Sequence, residues 1–172
     1  PLEEVGEERR PFADVMVQHV GELATDAGGL FPFDTDELAS ASLSGPYFDV
    51  RCEDCLDPTM AHSQVLGAPE LSFGFGGVDE LANGASTPAE RNVAYHLGLV
   101  RSVASKYLDD SVADGWFSRQ TLANVNIASA CNAFYRPSEG SVNFYRAGRG
   151  CNNTGEIADV VWHEWGHGLD HY

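Results

Sequence analysis

The chain is poor in basic residues, methionine and long apolar runs. Ten Lys and Arg stand against 26 Asp and Glu, which leaves a formal charge of −16. Such a surface repels nucleic-acid backbones and anionic membranes, and so argues against both as partners. No apolar run approaches the ~20 residues that cross a bilayer. The first residues, PLEEVGEERRP, hold neither an initiator Met nor an apolar signal core, so the expectation is an internal piece of a longer precursor. Internal repeats and low-complexity segments are missing too. So is a second C-x2-C pair, which argues against a zinc knuckle built from CEDC and His62.

What is present suits a globular domain. Apolar residues make up 43% of the 172, enough for a sizeable core. The acids read first as a solvated exterior. Calcium is a secondary candidate, since it gathers several oxygen ligands, but DELAS, CEDC and LDDSVAD follow no calcium-loop pattern. The four cysteines, Cys52, Cys55, Cys131 and Cys151, fit two disulfides in an exported protein. Three pairings are open. The preferred one joins Cys131 to Cys151, which flank a strand pair, and Cys52 to Cys55 across a tight loop. NNT at Asn152 matches the N-glycosylation acceptor pattern.

The predicted fold class is α+β. After a tail at 1–11, a β-rich region spans 12–85, as part of a catalytic lobe or as an accessory module. FADVMVQ alternates, and LASASLSGPYFDV and ELSFGFGG run between Gly or Pro signals, which predicts short antiparallel strands. A second unit spans 86–172. Thr87, Pro88 and Glu90 form a capping box with proline at the first helical position. Val93, Leu97, Val100, Ala104, Tyr107 and Leu108 then recur at helical spacing, predicting a helix from 88 to about 108. His96 beside this stripe reads as a hydrogen-bonded core group. CNAFY and SVNFYR, joined by RPSEG, predict an aromatic hairpin. NNTGEIADVVWHEWGHGLDHY predicts a helix from about 155 to about 170, with Glu156 and Asp159 at its positive end.

That last helix carries H-E-x-x-H. Residues four apart differ by ~40° around a helix and lie one turn apart, so His163 and His167 project together and can grip one ion. Imidazole suits Zn2+. Glu164 sits ~100° round from His163, poorly placed as a ligand but well placed to take a proton from an attacking water. The competing reading is two exposed histidines on a charged helix. The capping, the apolar run ADVVW and the upstream hairpin favour the metal.

From Thr87 to Tyr172 the chain resembles the N-terminal half of thermolysin-like or fungalysin-like zinc metalloendopeptidases, the gluzincins. The matching stretches are NVAYHLGLVRSVASKYL, NAFY at 132–135, VNFYRAG at 142–148 and DVVWHEWGH at 159–167. The resemblance implies His163 and His167 as zinc ligands, Glu164 as general base, and Asn132 and Ala133 on an edge strand that pairs with substrate backbone. It also implies a third ligand, a glutamate on a later helix in a second lobe. Within this chain, Asp170 and His171 are poor substitutes: His171 would lie ~12 Å along the axis from His163. Glu156 fails for the same reason. The expectation is therefore an incomplete zincin lobe, secreted, acting on peptide or protein substrate, and inactive as these 172 residues alone. The alternative is a non-catalytic β-rich binding or pro-region module with a chance H-E-x-x-H.

Overall fold

The computed structural model describes residues 12–19, 21–32, 38–55, 62–66, 73, 86–109, 111 and 115–171. Its strands are β1 (Met16–His19), β2 (Gly21–Ala24), β3 (Leu38–Ser42), β4 (Phe48–Cys52), β5 (His62–Leu66), β6 (Thr121–Ile127), β7 (Ala133–Arg136) and β8 (Ser141–Tyr145). Two α-helices, α1 (Pro88–Ala104) and α2 (Ala158–His171), complete an α+β fold. The strand expected at ELSFGFGG lies outside the described residues, apart from Phe73.

The strands form two four-stranded sheets, ordered β2-β1-β3-β5 and β4-β6-β8-β7. The first is antiparallel throughout. The N-terminal strands do not all stay in it. β4 joins the second sheet, running parallel to β6 from Phe48↔Thr121 to Cys52↔Val125. A boundary between 85 and 86 therefore does not separate the two sheets. The switch occurs at Ser44-Gly45-Pro46. A Cβ on Gly45 would lie 1.7 Å from the Asp14 carbonyl oxygen, so only glycine lets the backbones pass this closely. Beyond the switch, β4 buries Phe48, Val50 and Cys52 on one face.

α1 begins as its sequence predicts. The Glu90 amide donates to Thr87 Oγ1 at 3.3 Å, and the Thr87 amide donates to Glu90 Oε2 at 2.6 Å. Its stripe of Val93, Leu97 and Val100 packs on β4 and β6. Each such side chain contributes roughly 1.5–3 kcal/mol when fully buried. The helix stops earlier than expected. Ser105 caps it, and the Lys106 amide turns back to the Val103 carbonyl. Tyr107 is consequently 82% exposed, no part of the buried stripe.

α2 also starts later than expected. Thr154–Glu156 form a separate 3-10 turn, and Ile157 adopts extended dihedrals before the helix opens at Ala158. Asn153 caps this turn through the Gly155 amide. Asn92 of α1 donates to the Gly155 carbonyl at 2.9 Å, tying the turn to the first helix. The cysteines pair 52–55 and 131–151. Among the described residues, no helix is long and apolar enough to cross a membrane.

Candidate metal centre

α2 is amphipathic in a way that fixes its orientation. Val161, Trp165 and Gly168 face inward. A second 3-10 turn, Trp116–Ser118, supplies what they meet. Phe117 stacks on Trp165 at 6.0 Å between centroids, and Trp116 lies 5.9 Å from the same ring. Trp116 also meets Tyr135 of β7 edge-on at 6.0 Å. One aromatic cluster thus holds the helix at a set distance from the hairpin. Gly168 makes this possible, because a Cβ there would fall 2.3 Å from the buried Trp116 ring.

His163 and His167 emerge on the opposite side and are exposed. Their Nε2 atoms are 3.1 Å apart, with the rings at 82°. A tetrahedral zinc with Zn–N distances of about 2.0–2.1 Å needs nitrogens about 3.3 Å apart, so the pair fits one ion with little adjustment. Glu164 turns inward and is only 6% exposed. Trp162, beside His163, donates through Nε1 to His96 Nδ1 at 3.2 Å. Burial, opposed by the Asp159 carboxylate, lowers the His96 pKa, so this ring is a neutral acceptor.

The imidazoles and Glu164 line a cleft of about 670 Å³ whose other wall is the hairpin, with Asn132, Ala133, Phe134, Tyr135 and Pro137. Among the described residues, β7 is the last strand of its sheet. It pairs with β8 on one side, from Ala133↔Phe144 to Arg136↔Ser141. Ala133 opens the strand and Asn132 precedes it. Thr154 anchors this corner. Its hydroxyl donates to the Asn132 carbonyl at 3.0 Å and accepts from the Tyr145 amide at 2.8 Å. The Cys131–Cys151 bridge closes the same corner covalently.

The structure therefore brings His163, Glu164 and His167 into one cleft with Asn132 and Ala133. It leaves Cys52 and Cys55 elsewhere, at the end of β4. His62 lies on β5, in the other sheet, and its side chain lies outside the described residues. Asp170 and His171 line the cleft. Yet among the described residues no third His, Cys, Asp or Glu completes a metal-sized cluster with the two imidazoles. Sequence reasoning missed the Trp116–Phe117 turn and the service of Gly168 to it. The signal was there as an aromatic pair and a second glycine, but nothing local says that they meet. No family model matches the chain, and no curated protein matches it.

Proposed function

We propose that this chain carries two metal ligands and the general base of an exported zinc-dependent endopeptidase. The observation that carries the reading is the 3.1 Å separation of two imidazole nitrogens beside a sheet edge that is open among the described residues. Zinc in such a site polarises a carbonyl and lowers the pKa of bound water to about 7. His163 and His167 would hold it, and the packing of Trp165 and Gly168 fixes their aim. Glu164 would take the proton of the attacking water and deliver it to the departing amine. A peptide would lie along β7 as an added strand, starting at Asn132 and Ala133, its backbone hydrogen-bonded to the edge.

A catalytic zinc site has three protein ligands and one open position. The described residues offer two, so the reading assigns the third to polypeptide outside them, as the resemblance to gluzincins implies. The disulfides suit an oxidising exterior, and export belongs to the same proposal. Glu164→Gln tests it. The substitution should leave zinc content unchanged and cut peptide cleavage by at least about 10²-fold. His163→Ala should instead remove the metal. Undiminished cleavage by the Glu164→Gln protein would overturn the assignment. A binding or pro-region module would cleave in neither form.

A further inference from the structure

A second cluster of ligand-type side chains sits at the C-terminal end of β4, away from the cleft, and the peptidase reading makes no use of it. Cys52 Sγ, Cys55 Sγ and a carboxylate oxygen of Glu90 all lie within 4.8 Å of one another. Cys52 and Glu90 are 3% and 4% exposed, while Cys55 is half-buried and opens the cluster to solvent. The sulfurs form a disulfide, which has no thiolate to offer a metal. Asn126 Nδ2 donates to Cys52 Sγ at 3.1 Å and to the α1 cap, Thr87 Oγ1, also at 3.1 Å. The cluster therefore sits at the N-terminus of α1, where the helix dipole favours thiolate.

We propose that Cys52, Cys55 and Glu90 form a redox-dependent metal site, closed as a disulfide and open to a soft divalent cation once reduced. A dithiol reductant attacks the sulfur of Cys55, the less buried of the two cysteines. The S–S bond breaks, the dithiol becomes a disulfide, and two protein thiols result. On binding Zn2+ or Cd2+, each thiol releases its proton to solvent and gives its sulfur pair to the ion. Glu90 keeps one oxygen on the Thr87 amide and has further lone pairs to share. The charge argument is what selects a cation. Two thiolates beside a buried carboxylate repel one another strongly, and a divalent ion reverses that. Water entering beside Cys55 can complete the shell.

The test is a cobalt(II) titration of the full chain, before and after anaerobic reduction with a phosphine, which does not chelate the metal. Thiolate-to-cobalt charge-transfer absorption should be absent from the oxidised chain and appear on reduction. Cobalt on His163 and His167 gives no such band, so the two sites are read separately. The Cys131→Ser/Cys151→Ser variant should keep the band and the Cys52→Ser/Cys55→Ser variant should lose it. Glu90→Gln, which preserves the capping box, should weaken cobalt binding more than about tenfold. A reduced chain without the band, folded or not, overturns the proposal. So does a band that survives Cys52→Ser/Cys55→Ser, or binding indifferent to Glu90→Gln.

Discussion

Two glycines flank His167 and meet different surroundings. Around Gly166 there is open space for a Cβ, while at Gly168 the Cβ would collide with Trp116. Gly166→Ala should therefore raise stability by roughly 0.5–1 kcal/mol through helix propensity. Gly168→Ala should cost about 1–3 kcal/mol, because a filled core has to move. Urea denaturation of the two variants checks the contrast, and equal effects would mean that α2 does not sit on Trp116. His96 gives a pH signature. Its folded pKa is lowered, so the folded state holds the ring neutral while the unfolded chain takes a proton near 6.5. Stability is full above that value and falls as pH drops through it. His96→Gln should flatten the thermal-stability profile between neutral and mildly acid pH. Glu156 acts in the opposite sense. Burial, partly offset by Arg91, raises its pKa, so its contribution declines as pH rises above 4.5.

At the scale of elements, α1 depends on more than its own cap. Thr87 Oγ1 receives Asn126 Nδ2 as well as the Glu90 amide, and Asn126 Oδ1 accepts from Asn153 at 2.7 Å. Thr87→Ala should thus cost about 1–2 kcal/mol, the upper part reflecting Asn126 left short of a partner in a buried place. Thr87→Ser should recover most of it, as read from denaturation midpoints. The capping box itself was legible in TPAE because all its atoms lie within four residues. The hairpin was legible for the same reason, with RPSEG between two aromatic runs. The parallel pairing of β4 with β6 was not. Alternation along FDVRC announces one buried face and is silent on which strand lies alongside, nearly seventy residues later. The early stop of α1 also escaped, since Tyr107 and Leu108 keep the helical period while the backbone has already turned away. In the cleft, the H-E-x-x-H spacing reveals the two imidazoles but not the aromatic wedge that aims them.

For the whole molecule, the bridges and the net charge set the terms. Cys131–Cys151 joins residues 20 apart in sequence, Cys52–Cys55 residues only 3 apart. Chain-entropy reasoning assigns about 3 kcal/mol to the longer and about 2 kcal/mol to the shorter. Cys131→Ser/Cys151→Ser should accordingly lower the melting temperature more than Cys52→Ser/Cys55→Ser does, and the reverse order would show that the 52–55 bridge acts through its contacts with Asn126. The charge of −16 repels itself in the compact state. Melting temperature should rise from low to physiological salt as screening takes hold.

β7, the outermost strand of the second sheet among the described residues, has a further consequence. Whatever backbone it offers a peptide, it offers equally to the same strand in another molecule. Strand-to-strand stacking would then grow with concentration, while mutual repulsion between highly anionic particles opposes it. An acidic shell on this fold would serve colloidal stability, keeping a sticky rim from nucleating fibres.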